Sequence, residues 1–200
     1  FFILLENVNK SIFTEELINE EFVSFSRRGK FLIFILKKHT LIVHLRMEGK
    51  FFIKDSNEIV DKHEHIVIHL KDGNSLRYHD TRKFGRFSLL NTTNLDEIFN
   101  YPLLKKMGPD ANLTNDYLEI YYKLHKMNCP IKQALLDQTI LAGLGNIYVD
   151  EVCFLSKIHP KTNCKDISIK QVAVILENSK IVLEKAILQG GTTIRSYTSS

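Results

Sequence analysis

The sequence predicts an α+β chain of two domains. Short apolar runs of strand character crowd residues 1 to about 90, helical spacing takes over from Thr114, and Gly108-Pro109 breaks the chain between the two textures. Placing the boundary at Met107 gives an N-terminal antiparallel β domain over residues 1–107 and a C-terminal helical domain over residues 108–200. Many short strands in a row, separated by turns, call for a sandwich or a barrel.

In order, Phe1-Phe-Ile-Leu-Leu5 reads as a strand and Thr14 to Asn19 as a short helix. Glu21 to Ser26 alternates apolar and polar residues, Lys30 to Leu36 is rich in branched and aromatic residues, and Thr40 to His44 follows a polar gap. Lys50 to Ile53, His65 to Leu70, Ser75 to Tyr78 and Arg86 to Leu90 complete the strands, with Asp72-Gly73 as a hairpin turn. Asn91-Thr-Thr-Asn94 caps a helix start. Tyr117, Ile120, Tyr121 and Leu124 then make one helical face, and Pro130 opens a short helix through Ile131, Leu135 and Leu136. A helix from Asn146 to about Ser156 follows. Ser168 caps a long last helix with Val172, Leu176, Leu183 and Ile187 on one face, ended by Gly190-Gly191.

With 44% hydrophobic and 25% charged residues, the composition is that of a folded protein and excludes a disordered tail. A net charge of +4 leans mildly toward polyanionic partners. Cys129, Cys153 and Cys164 contain no CxxC pair, so neither a disulfide framework nor a zinc site is expected within these residues, and a reducing, cytosolic setting fits. No apolar run reaches membrane-spanning length, and the opening residues make no signal peptide. Starting at Phe1 without Met, the chain reads as part of a longer protein.

Several stretches carry chemistry. Ala142-Gly-Leu-Gly-Asn-Ile-Tyr-Val-Asp-Glu151 is a glycine-hinged turn running into a helix at Asn146, either a phosphate grip built on free helix amides or a corner whose glycines serve packing. Arg27, Arg28, Arg46, Arg77, Arg82, Arg86 and Arg195 fall mostly at strand ends and in loops, where they suit phosphates or base edges, or an ordinary solvated face. Met47 and Phe84 lie in basic, glycine-ended turns. Each is a candidate wedge into a base stack, or a residue packing on the next loop. His63-Glu-His65 has the alternating spacing that would put both imidazoles on one strand face; phosphate contact or edge polarity is preferred over a metal. Lys30 is a desolvated amine, a phosphate contact, or the last cation before burial. Gly190 to Tyr197 is a loop that orders over a ligand, or a linker.

Together these stretches resemble the formamidopyrimidine-DNA glycosylases, bacterial repair enzymes that excise 8-oxoguanine and ring-opened purines. The resemblance rests on Arg27-Arg-Gly-Lys30, His44-Leu-Arg-Met-Glu-Gly49, Lys62-His-Glu-His65, Leu76-Arg-Tyr-His-Asp-Thr-Arg-Lys-Phe-Gly85, Gly108-Pro109, Ile131-Lys132 with Leu135-Leu-Asp-Gln138, Ala142 to Glu151, Ile158-His-Pro160 and Gly190 to Tyr197. The Arg-Lys-Phe turn and the Gly-Gly-Thr-Thr loop look like this branch and unlike endonuclease eight, which removes oxidised pyrimidines.

The resemblance implies a β-sandwich hinged to a helical domain with a helix-two-turn-helix motif, and damaged double-stranded DNA as partner. It implies a base-excision glycosylase with an associated lyase that cleaves the strand by β,δ-elimination through a Schiff base. By the same likeness, Met47, Arg82 and Phe84 fill the gap left by the flipped base. Lys30 contacts phosphate and moves a proton during elimination, and Asn146, His44, His63 and Lys126 contact DNA. Thr192, Thr193, Ile194, Arg195, Ser196 and Tyr197 form the loop over the flipped base. The family's nucleophile, an N-terminal proline amine followed by an acidic glutamate, has no counterpart here, nor has its four-cysteine zinc finger. Residues 1–200 by themselves are therefore expected to be inactive and to hold no cofactor, the zinc belonging to the finger. Lys126-Met-Asn-Cys-Pro130 stands where the family carries a basic run, which weakens that contact. A monomer in the bacterial cytoplasm, nucleoid-associated and away from membranes, is implied. The alternative is a non-catalytic DNA- or RNA-binding protein on the same scaffold.

Overall fold

A computed structural model describes residues 4–191. The described residues divide into two compact units, one of residues 4–27 with Phe31–Ile98, the other of Arg28–Lys30 with residues 99–191.

The first unit opens with helix α1 (Lys10–Glu16), capped by the Asn9 side chain, which accepts from the Ile12 amide at 2.9 Å. That cap starts the helix four residues ahead of the expected Thr14, and the chain has left it by Asn19, which sits at a φ of 61°. Of the run read as a strand, Phe1 to Ile3 lie outside the described residues, and Leu5 makes an isolated parallel bridge to Phe87. Seven strands follow: β1 (Phe22–Arg28), β2 (Phe31–Leu36), β3 (Thr40–His44), β4 (Lys50–Asp55), β5 (Glu64–His69), β6 (Asn74–His79) and β7 (Arg86–Leu90). They form a four-stranded sheet in the order β1-β2-β3-β7 and a three-stranded sheet in the order β4-β6-β5. The β2–β3, β3–β7, β4–β6 and β5–β6 pairs are antiparallel.

The inner faces meet in one aromatic core, as a sandwich requires. Phe34, Leu41, Val43, Phe87 and Leu89 from one sheet pack with Ile66 and Tyr78 from the other, Phe51 joining at the edge. Tyr78 meets Phe87 edge-on at 4.8 Å and Phe51 meets Phe34 at 5.5 Å. On the edge strand β1, Phe25 is 65% exposed, so the alternation read there does not mark a buried face.

Arg77 departs from the expectation for arginines in this chain. It lies within β6 fully buried, donating to Glu64 at 3.0 Å, to Ser75 Oγ, and to the carbonyls of Asp55 and Glu58. Lys54 closes on the other Glu64 oxygen at 2.7 Å. The charge is enclosed because its donors are paired.

The second unit holds α3 (Pro102–Lys105), α4 (Tyr117–His125), α5 (Ile131–Leu136), α6 (Asn146–Leu155), a single 3-10 turn (Cys164–Asp166) and α7 (Ile169–Leu188). The short α2 (Leu95–Phe99), opened by the Asn94 side chain, lies where the two units divide. Ile120 and Leu124 of α4, Ile131 and Leu135 of α5, and Val149 and Val152 of α6 enter its core. Ser168 and Gln171 make the capping box of α7. Its buried stripe runs Val172, Ile175, Leu176, Ser179, Val182, Leu183, Ala186. Ile187, expected on that stripe, is 58% exposed: the buried positions repeat every seven residues, Val172, Ser179 and Ala186 in line, and Ile187 falls one residue past that line. Arg28 is structural here too: it donates to Asp110 at 2.7 Å and to the carbonyls of Met107 and Gly108, and Gly29 N–H adds a bond to Asp110.

The Glu64 carboxyl is held down to about 2 by the Lys54 hydrogen bond, with Arg77 and the Asp61 amide adding to it against the cost of burial. Its pKa in the fold lies below the ordinary 4.5, so its contribution is complete above that pH and is lost as pH falls toward 2. Glu64→Gln should leave Arg77 without a counter-charge, cost about 3–5 kcal/mol in urea unfolding at pH 7, and flatten the acid limb of Tm against pH.

Candidate nucleic-acid interface

In the first unit the strand registers bring two loops to one place. His44 at the end of β3 pairs with Arg86 at the start of β7, and Lys50 at the start of β4 pairs with His79 at the end of β6. The β3–β4 and β6–β7 connections therefore leave the same end of the sandwich. Their tips meet: an Arg82 guanidinium N–H points at Met47 Sδ from 3.4 Å, and the guanidinium carbon lies 4.5 Å from the centre of the Phe84 ring. Met47 is 45% exposed and Phe84 41%. An exposed cation held between a thioether and an aromatic face has the chemistry needed to stack on bases and attract phosphate. The geometry brings together Met47, Arg82 and Phe84, which the resemblance assigns to one task.

Both tips hold a non-glycine residue in the left-handed region, Arg46 at a φ of 59° and Lys83 at 57°. Such a residue costs about 1–2 kcal/mol, so something must enforce it. At the β6–β7 tip the enforcer is Asp80, a residue not among those the sequence marks as candidates. It is fully buried and takes the Arg82 amide at 3.0 Å on one oxygen. The other oxygen takes the amides of Phe84 and Gly85 and the Tyr78 hydroxyl. Burial works against its ionisation, but the hydrogen bonds from Gly85, Tyr78, Arg82 and Phe84 outweigh it and hold the carboxyl below its ordinary value. The phenol of Tyr78 is driven upward by burial and by this partner. Gly85 is needed for space, since a Cβ there would collide with the Tyr78 hydroxyl. Arg86 completes the turn by donating to the carbonyls of Phe84 and Gly85. The signal for Asp80 was its place two residues ahead of a turn amide, where an aspartate caps its own loop.

The histidines separate. His44 accepts from the Arg46 amide at 3.0 Å through Nδ1 and sets its ring edge-on to Phe31. His63 lies just before β5 with its ring against His79 at 5.6 Å, whereas the Nε2 of His65 lies 2.8 Å from the Asp80 carbonyl oxygen. The register shift between Glu64 and Ile66 breaks the alternation that put His63 and His65 on one face.

In the second unit, Asn146 is exposed as the first residue of α6, and Gly145 stands at the N-cap without a side-chain cap bond. Gly143 takes a φ of 105°, which only glycine adopts freely. Gly145, expected to need the same freedom, is extended at φ −116°, and it lies close to Lys30: a Cβ there would stand 3.4 Å from the ammonium, an ordinary contact. A lysine nitrogen thus stands beside the positive end of a helix, an arrangement suited to an anion. Gln138 fixes the turn by accepting the Gly143 amide and donating to the carbonyls of Leu136 and Leu144. Lys126 is exposed at the C-cap of α4.

Thr192, Thr193, Ile194, Arg195, Ser196 and Tyr197 lie outside the described residues. Among the described residues no helix is long and apolar enough to cross a membrane.

Asp80→Asn replaces an acceptor of several amides by a group that faces them with its own donors. We expect a loss of about 2–3 kcal/mol in urea unfolding and faster hydrogen exchange at the Arg82, Phe84 and Gly85 amides, with the α6 amides unchanged.

Residues 3–87 match the family model of the formamidopyrimidine-DNA glycosylase N-terminal domain, and residues 107–198 that of the formamidopyrimidine-DNA glycosylase H2TH domain. The chain is 45% identical over 193 residues to the formamidopyrimidine-DNA glycosylase of Ligilactobacillus salivarius, covering 96% of this chain and 69% of that protein. With the Listeria innocua protein of the same name it shares 41% over 190 residues, covering 94% and 68%. Among solved structures, the Lactococcus lactis Fpg bound to abasic-site DNA superposes with a TM-score of 0.85 at 38% identity, over 94% of this chain and 68% of that one. The L. lactis complex with Fapy-dG-containing DNA gives 0.84 at 37%, over 95% and 71%. Since the matches run through both units and include the turns that carry Met47, Phe84 and Asn146, the chain belongs to the formamidopyrimidine-DNA glycosylase family.

Proposed function

We propose that this protein is a base-excision repair glycosylase for oxidised and ring-opened purines in double-stranded DNA, with an associated lyase, acting as a monomer on the chromosome in the bacterial cytoplasm. The observation that carries the reading is the Arg82 guanidinium held between Met47 and Phe84 on two strained tips. A protein that only followed the backbone would have no use for exposed apolar groups there. The names of the relatives and the abasic-site and Fapy-dG complexes of the L. lactis protein support the same activity.

In this proposal Met47 and Phe84 enter the stack as a purine turns out, and Arg82 faces the orphaned base. Unstacking costs a few kcal/mol, partly offset by these contacts. Lys30 and the α6 amides with Asn146 take phosphate oxygens, and His44, His63 and Lys126 take others. Thr192 to Tyr197 close over the flipped base. A secondary amine attacks C1′ and displaces the base, leaving an iminium that draws electrons for elimination. Lys30 transfers a proton in that elimination, and the nucleophile is the proline amine that the family resemblance implies. Zinc finds no fit in these residues: Cys129, Cys153 and Cys164 are all the cysteines, and among the described residues no group of three or more His, Cys, Asp or Glu could hold a metal.

Borohydride should trap a covalent adduct between the protein expressed from its complete reading frame and an 8-oxoguanine duplex. Binding without an adduct would leave the non-catalytic reading, and preference for structured RNA would leave the RNA-binding one. Phe84→Ala should weaken binding to lesion duplex more than to undamaged duplex. Lys126→Ala should weaken both alike and reduce the slope of log affinity against log salt by about 1.

A further inference from the structure

Two of the three cysteines are brought together by the backbone. Pro130 and Asn163 form an antiparallel bridge between the segment entering α5 and the one entering the 3-10 turn. One step outward on each side, Cys129 and Cys164 stand opposite one another, the Cys164 amide donating to the Cys129 carbonyl at 3.0 Å. Their sulfurs are 4.0 Å apart. The bridge is braced by the Ile131 amide bonded to the Thr162 carbonyl at 2.8 Å and by Asn163 donating to the Asn128 side chain at 3.0 Å. Directly opposed residues of such a pair hold their Cβ atoms about 4.5–5.5 Å apart. That meets the upper end of disulfide geometry, so a turn of the side chains with a small backbone shift brings the sulfurs to bonding distance.

We propose that Cys129 and Cys164 are a peroxide-responsive dithiol that closes to a reversible intramolecular disulfide. The two thiols are unequal. Cys129 is half-buried and meets solvent, while Cys164 is fully enclosed, its thiol pushed up to about 12 by burial and by its neighbour. Cys129 therefore reacts first: its thiolate attacks hydrogen peroxide, the O–O bond breaks, and Cys129 becomes a sulfenic acid as one water leaves. The Cys164 sulfur then attacks the Cys129 sulfur and displaces its hydroxyl, which departs with the Cys164 proton as a second water. Two electrons pass from sulfur to peroxide, and two thiols with one peroxide give one disulfide and two waters. The bond would link residues separated by 35 positions in the chain and close a loop containing α5, the glycine turn and α6, constraining the unfolded chain there. The inference stands on this geometry and does not depend on the glycosylase reading.

The test treats the purified protein with one equivalent of hydrogen peroxide, blocks free thiols with N-ethylmaleimide, and maps the peptides by mass spectrometry. A peptide pair joined through residues 129 and 164, two hydrogens lighter and separated by dithiothreitol, is expected, with a Tm several degrees above that of the reduced protein. Cys129→Ser, at a half-buried position, should fold and show neither change, and Cys153→Ala should show both. Sulfinic acid at Cys129 without the cross-link, a bond to Cys153 or between chains, a cross-link that lowers Tm, or the same Tm rise in Cys129→Ser would each overturn the proposal.

Discussion

The register of the two sheets is the constraint from which the first unit's candidate surface follows. Once His44 lies opposite Arg86 and Lys50 opposite His79, the chain must cross between sheets twice at the same end. Neither crossing has room to wander: five residues join β3 to β4, Leu45 to Gly49, and six join β6 to β7, Asp80 to Gly85. A core of interleaved aromatics holds that register, since a slip by one residue would turn Tyr78 and Phe87 outward. The contact of Arg82 with Met47 and Phe84 is thus secured by packing several residues away.

Buried charge in this protein serves conformation. Asp80 spends its carboxylate on three amides and a phenol, and the outcome is a loop held in an otherwise unfavourable shape. Glu64 with Arg77 and Lys54 ties β4, β5 and β6 together, and Arg28 with Asp110 ties the Gly29 turn to the segment around Gly108. In each case hydrogen bonds or, at Glu64 Oε1, the Lys54 ion pair compensate the loss of water, and removing one partner leaves the other stranded. The second unit applies the same economy to its glycine turn, where Gln138 alone bonds three backbone groups.

Much of this was legible in the chain. The strand runs, the helical faces of α4 and α5, the capping box of α7 and the start of α6 at Asn146 follow from local periodicity and cap chemistry, which a sequence displays directly. Met47, Phe84 and Arg82 were legible as anomalies, apolar groups in basic turns. The early start of α1 was not, since an asparagine serves turns as readily as helix caps and the packing of Phe13 into the sandwich core is what selects a helix after Asn9.

By itself, the sequence determined the order of the elements and which residues were out of place for a mere scaffold, because both depend on neighbours along the chain. Tertiary structure decided which of them work together. It drew Arg77 into a buried ion pair and Arg28 into a part-buried one, parted His63 from His65 by a register shift, and put Lys30 against Gly145 across more than a hundred residues. It also revealed Asp80 as the anchor of the β6–β7 turn and set Cys129 opposite Cys164. Those outcomes turn on which buried donor meets which acceptor across the fold, and long-range pairing of that kind leaves no periodic trace in the sequence.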